Sequence, residues 1–330
     1  MPKAQYLLDI AKLKSGDIIL SSAGEIPSAS VRAVTKGDYS HAMLHVGNGS
    51  YIHSDLTGVH ADNIQRLLLD SPDRFSVLRV SGENRERIAM DAIIYARRKV
   101  GTQYSKREAA GVVLNKLRAN LTNRQFCSRL VAQAYAQAGL SLVADADYCT
   151  PQDLFNCEAL VEISGCVREA TEEDVELANR FNPLELQRRN TNQFLADVRK
   201  ISGLDIQEQQ QVVDCVRNNP HYDEAISEAL QRSGYLEFWR IDVSINPWRY
   251  DADIWLSSGY SVDKLRSTAS SEIDSANEVI NRYSFMCSQY HVLNQYYPRR
   301  YFQLERDLFA QLVKLHTERR EEARRVLKSL

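Results

Sequence analysis

Residues 40–53 read Ser40-His41-Ala42-Met43-Leu44-His45-Val46-Gly47-Asn48-Gly49-Ser50-Tyr51-Ile52-His53. Two apolar runs, Ala42–Val46 and Tyr51–His53, flank turn-forming residues, and that pattern predicts a β-hairpin. Its register decides what the hairpin can do. Folded symmetrically about Gly47, it makes His41 and His53 direct cross-strand partners on one face, with Cβ atoms roughly 4.5–5.5 Å apart. A tight two-residue turn at Asn48-Gly49, the strongest local hairpin signal, instead pairs His53 with Leu44 and sends it to the face opposite His41. Spacing leaves both registers open. It also leaves His45 and His60 reading, like the other two, as strand histidines with one satisfied hydrogen bond.

Around the hairpin, residues 13–80 are β-rich. Asp17-Ile18-Ile19-Leu20 is a short apolar run, and Phe75-Ser76-Val77-Leu78-Arg79-Val80 alternates at period two. From Glu83 the period changes, with Ile88, Ala92, Ile93 and Ala96 at helical spacing and a second amphipathic stretch around Ala109 to Leu117. Cys127, Leu130, Val131, Ala134, Tyr135 and Ala138 form one stripe of a further helix, which Gly139 ends as a left-handed residue.

Cys127 opens that helix. Unpaired amides and the helix dipole there favour an anion, Arg124 and Arg129 are near in sequence, and these conditions lower a thiol pKa. The bland alternative is that Cys127 is the first apolar residue of a buried stripe, since free cysteine is among the most buried residue types. A nucleophilic thiol needs a base and a group to orient that base, and His41 with His53 can supply both. A metal site from His41, His45, His53 and His60 is disfavoured, because strand spacing scatters them and no Asp/Glu–His motif of known geometry is present. No cofactor or metal is called for.

After about residue 170 the strands nearly vanish. Thr171-Glu172-Glu173-Asp174 is a helix start with a capping hydroxyl, and Pro220 opens a helix carrying Ala225, Ile226, Ala229 and Leu230. Long helical patterns run from about Ser271 to Asn294 and from Pro298 to Leu327. Change of periodicity alone divides the chain into residues 1–170 and 171–330, with 20 basic and 18 acidic side chains in the first part and 21 and 25 in the second.

Composition bounds the function. With 330 residues, 44% hydrophobic and 25% charged, the chain suits two ordinary domains and is too apolar for disorder. A net charge of −2 supplies no general field for nucleic acid. Six cysteines (127, 149, 157, 166, 215 and 287) without a CxxC pair are neither a disulfide scaffold nor a structural zinc site. No run approaches ~18 apolar residues, and Asp9 interrupts any signal-peptide core, so no transmembrane segment and a cytoplasmic location are expected.

Three ordered pieces resemble the circularly permuted branch of the NlpC-type, papain-like cysteine hydrolases, the YiiX-like group. They are Leu13–Leu20, Ser40–His53, and Phe126-Cys127-Ser128-Arg129-Leu130-Val131-Ala132-Gln133-Ala134-Tyr135. Gly101-Thr102-Gln103-Tyr104 is similar to the group's G-x-x-Y, and Thr150-Pro151-Gln152-Asp153-Leu154 to its T/S-P-x-D-L; together the matches cover about 13–165. The order His, second polar residue, Cys marks the permuted branch. The resemblance implies an α+β fold, a small antiparallel sheet packed on helices, followed by a mainly helical C-terminal domain of its own character. It implies Cys127 as nucleophile, His41 as base and His53 as the residue that orients it, with the symmetric register. Two positions depart from the pattern: His45 replaces an apolar or aromatic residue, and Ser128-Arg129 stands where many relatives have Ser-Glu.

The implied activity is hydrolysis of an amide in a peptide or peptidoglycan stem through an acyl-enzyme. Relatives of the permuted fold also include lipid acyltransferases similar to lecithin:retinol acyltransferase, so a lipid ester is an alternative substrate, and a catalytically silent shell is a third reading. The acyltransferase reading asks for a membrane-contacting stretch. The terminal helix offers Leu304, Leu308, Phe309, Leu312 and Leu315 beside Arg319, Arg320, Arg324 and Arg325, but interleaved Glu318, Glu321 and Glu322 favour packing on its own domain. An envelope substrate would require export without an N-terminal signal. Residues 171–330 carry no such resemblance and are a candidate surface for substrate or a protein partner.

Overall fold

Period-two alternation builds the sheet that carries the histidines. The computed structural model describes residues 4–22, 38–105, 109 and 124–330. Its strands are β1 (Tyr6–Leu8), β2 (Ile18–Ser21), β3 (His41–Gly47), β4 (Ser50–Asp55), β5 (Gly58–Asn63) and β6 (Phe75–Val80). Helices α1 (Arg85–Arg98), α2 (Cys127–Gln137) and α3 (Pro151–Phe155) follow, then β7 (Leu160–Glu162), β8 (Val167–Glu169), α4 (Glu172–Asn179) and α5 (Pro183–Ser202). Six strands pair antiparallel in the order β5-β4-β3-β2-β6-β7, while β1 pairs with β8.

Even-numbered positions of β3, Ala42, Leu44 and Val46, join Ile18, Leu20, Ile52, Val59, Leu78 and Val80 in a core with Ala92, Ile93 and Ala96 of α1 and Leu130, Val131 and Ala134 of α2. Odd-numbered Met43 lies on the other face with Ile19, Tyr51 and Val77, against Leu8, Leu13, Ile64 and Leu69. Both faces are covered, which is why β3 is apolar almost throughout rather than half polar.

Neither expected hairpin register holds as drawn. Asn48 and Gly49 form the tight turn, both with positive φ (51° and 71°), and Gly47 opposes Ser50. The register then shifts between His45 and Gly47, and Met43, instead of Leu44 or His41, faces His53. One extra residue on one strand reverses which face every later side chain takes. The tight turn is therefore kept, while the bulge returns His53 to the face of His41 as a diagonal neighbour. β5, which the sequence reading did not predict, pairs His53 directly with His60.

Gly16 fixes the loop before β2. Its φ is +89°, and a Cβ there would lie 2.3 Å from the Ala89 Cβ of α1. Its carbonyl accepts the Tyr135 hydroxyl of α2, so both helices close on this glycine. Helix α2 ends as predicted, with Gly139 at φ +87°. The stretch expected to be helical around Ala109 to Leu117 lies, past Ala109, outside the described residues.

The chain divides into two compact units, Met1–Arg188 with Gln207–Gln209 and Arg189–Ile206 with Gln210–Leu330. The second is helical, with α6 (Gln209–Asn218), α7 (Asp223–Arg232), α8 (Trp239–Ile245), α9 (Ala252–Leu256), α10 (Val262–Tyr296) and α11 (Arg300–Ser329). Its core joins Phe194, Leu195, Val212, Val216, Ile226, Leu230, Tyr290, Tyr301, Phe302 and Phe309. Leu308, Phe309 and Leu315 of α11 are buried, and Arg319 pairs with Glu272 of α10, so this helix spends its apolar stripe on its own unit. Among the described residues no helix is long and apolar enough to cross a membrane.

Candidate active site

Three imidazoles meet on one face of the sheet. His41 begins β3, His53 sits in β4, and His60 in β5. His41 Nε2 lies 2.7 Å from His53 Nδ1, and the rings meet edge to face at 87°. His53 Nε2 lies 2.9 Å from His60 Nε2. Beyond them, His60 Nδ1 is 3.1 Å from the Gly58 carbonyl and His60 Nε2 is 3.1 Å from Arg188 Nη1 of α5.

Burial holds these rings neutral. Desolvation pulls His41 down to about 4 against the opposing pull of Asp55, with His60 adding to the shift. It drives His53 well below the usual imidazole range, helped by His41, His60 and Arg188. His60 is lowered by burial too, opposed by Asp55 and the Gly58 carbonyl.

Cys127 approaches from the α2 side. Phe126, the residue before the helix, offers no capping side chain, and the amides of Cys127 and Ser128 face the sulfur. The N–H of Ala42, the neighbour of His41, also donates to it. The sequence reading expected a lowered thiol pKa. Instead, desolvation outweighs these donors and pushes the thiol up.

Backbone pairing fixes the approach of α2 to the strands. Val59 N donates to the Thr102 carbonyl (2.8 Å) and Gly101 N to the Val59 carbonyl (2.9 Å), which ties the 101–104 segment to β5. Gln125 N donates to the Gln103 carbonyl and Ser105 N to the Gln125 carbonyl, which ties the same segment to the residues before Cys127. Burial raises the Tyr104 phenol pKa, with smaller upward contributions from Cys127 and Asp55, so both groups lie within electrostatic range of that ring. On the far side, Ser128 Oγ donates to the Cys149 carbonyl (2.7 Å), next to the Thr150–Asp153 capping box of α3.

The two departures from the sequence pattern have structural partners. His45 Nδ1 sits 2.8 Å from the Lys14 carbonyl and braces the loop before β2. Arg129 is buried; it donates to the Arg124 carbonyl (3.1 Å) and pairs with Asp147 (3.4 Å), so it holds the chain entering α2.

His53, Asp55 and His60 offer metal-ligand atoms within 4.8 Å of one another. As the side chains stand they do not fit a cation. The His60 Nε2 lone pair that would bind it already faces the Arg188 guanidinium, a positive group, and the His53 ring. Sequence reading named His60 only among undistinguished strand histidines. The turn Asp55-Leu56-Thr57-Gly58 before Val59-His60-Ala61 was the available signal, whereas nothing local marks Arg188, 128 residues from its partner.

In chain order the strand histidines precede the cysteine that opens α2. Residues 12–160 match the model of a family described as permuted papain-like amidase enzymes, the YaeF/YiiX, C92 family. A solved crystal structure, of metalloprotein yiiX from Escherichia coli O157:H7, is similar at 15% identity with a TM-score of 0.32, covering 46% of this chain and 97% of that one. No curated protein matches the chain.

Proposed function

We propose that this protein is a cysteine-dependent amide hydrolase in which Cys127 is the nucleophile, His41 its base and His53 the residue that orients His41. The reading is carried by the 2.7 Å His41–His53 contact at the start of β3, together with a sulfur that faces the N–H of Ala42, the next residue of that strand, and the open start of α2. The match of residues 12–160 to the model of a family of amidase enzymes supports it.

At neutral pH the resting pair is a thiol and a neutral imidazole, because burial disfavours both charged forms. As sulfur attacks the carbonyl carbon, the thiol proton passes to His41 and the S–C bond forms. Amides at the start of α2 stabilise the developing oxyanion. The C–N bond then breaks, the amine leaves with the proton from His41, and a thioester remains on Cys127. Water, deprotonated by the same imidazole, releases the acid and restores the thiol.

A peptide or peptidoglycan-stem amide is the proposed substrate. Product mass spectrometry on peptides, peptidoglycan fragments and phospholipids tests the reading. Amide cleavage that Cys127→Ala abolishes is expected. Cleavage that survives this substitution removes the assignment, and Cys127-dependent release of fatty acid from phospholipid redirects it to lipid acyl chemistry.

A further inference from the structure

We propose that His60, held between the Gly58 carbonyl and Arg188, is a positioning residue that sets the proton order of all three rings and leaves His41 Nδ1 as the open lone pair. The last step rests on the reading of His41 as the base; the proton order itself does not.

The argument starts from the two groups that cannot exchange roles. A carbonyl only accepts, so His60 Nδ1 carries the hydrogen that meets Gly58 O at 3.1 Å. A guanidinium only donates, so His60 Nε2 presents its lone pair to Arg188 at 3.1 Å. His60 is therefore a neutral ring with one permitted tautomer. His53 Nε2, 2.9 Å from that lone pair, must donate to it, which leaves His53 Nδ1 as an acceptor. His41 Nε2, 2.7 Å from His53 Nδ1, must donate in turn. One neutral ring has one N–H, so His41 Nδ1 is unprotonated and able to take a proton from a thiol.

Reversing any member sets two N–H groups or two lone pairs face to face where water cannot satisfy them, leaving hydrogen bonds unmade. The charged and titratable groups facing the relay are Asp55 from β4, Asp62 from β5, Arg188 from α5 and Tyr51 of β4, whose ring lies 5.1 Å from that of His53. Asp55, 3.8 Å from His60 Nε2, favours a second proton on that ring, and Arg188 opposes it. Gly58 is a fixed anchor: its φ is +102°, and a Cβ there would lie 2.6 Å from the Thr102 carbonyl oxygen.

Long-range 15N–1H correlation spectra of the full chain, histidine-labelled, read the tautomers directly at pH 7. The expected pattern is Nδ1–H on His60 and Nε2–H on His53 and His41, each ring neutral. His60 found as the Nε2–H form, or any of the three doubly protonated, overturns the proposal without any variant. His60→Gln keeps an acceptor for His53 and should retain the His53 and His41 tautomers, with Cys127 alkylation by iodoacetamide within about threefold of the parent. His60→Leu removes the acceptor and should mix the His53 tautomers and slow alkylation by about tenfold or more. Unchanged tautomers and rate in a folded His60→Leu variant contradict the proposal. The expected tautomers with no selective reactivity at Cys127 would defeat the hydrolase reading while leaving the proton order standing.

Discussion

The pH profile of Cys127 reactivity follows from burial. An ordinary imidazole loses its base form below its pKa of about 6.5. His41, drawn down to about 4, keeps its lone pair far into acid. At pH 5 a ring with a pKa of about 4 is roughly nine-tenths unprotonated, whereas one at 6.5 is only about 3% so. Because the Cys127 thiol is raised, the neutral pair persists across the whole neutral range and base-assisted alkylation should be flat from about pH 5 to 9, with its acid limb near 4.

The same shift sets how the assay must be run. The folded pKa of His41 lies below its unfolded value, so the unfolded chain binds the extra proton more readily. Stability held above pH 6.5 is lost as pH falls toward 4, by about 3 kcal/mol for this ring, and His45, His53 and His60 push in the same direction. Rapid pH jumps from neutral buffer, with iodoacetamide incorporation at Cys127 followed over short times, separate reactivity from unfolding. An acid limb near 6.5 would refute the burial argument. A rate that climbs tenfold per pH unit through neutrality would show a thiol reacting without His41.

Two further outcomes concern the scaffold. Gly16→Ala forces a Cβ against Ala89 at a positive φ, and should cost roughly 2 kcal/mol or more by denaturant unfolding. Glu305, buried in the second unit with one hydrogen bond from Tyr301, has its carboxyl raised to about 7 by desolvation. Its folded pKa exceeds the unfolded one, so stability should fall as pH rises from about 4.5 to 7, by about 3 kcal/mol, and Glu305→Gln should flatten that part of the pH–stability curve.

Much of the first unit is legible because its signals are local. Alternation marks Phe75–Val80, helical spacing marks Cys127–Gln137, and Thr171 caps its helix through Asp174 as its sequence suggests. The hairpin at 40–53 is legible as a hairpin but not in its register, because a tight turn and a bulge each shift the pairing by one and only their sum decides the face. His60 is hidden by the second, unrecognised hairpin, and Arg188 by sequence distance. The thiol pKa reads wrongly from sequence because helix position and neighbouring arginines are visible there, whereas the depth of burial that outweighs them is not. Residues 161–330 lie outside the family match, and their helices are legible from periodicity without a hint of purpose.

The most direct test traps the thioester. The protein is mixed with a peptide-amide substrate, quenched in acid within a turnover, and mapped by mass spectrometry. The account predicts an acyl adduct on Cys127, no adduct in Cys127→Ala, and adduct formation slowed by about 10²-fold or more in His41→Ala. An adduct on another cysteine, or substrate cleaved at full rate with Cys127 unmodified and replaceable, would contradict it.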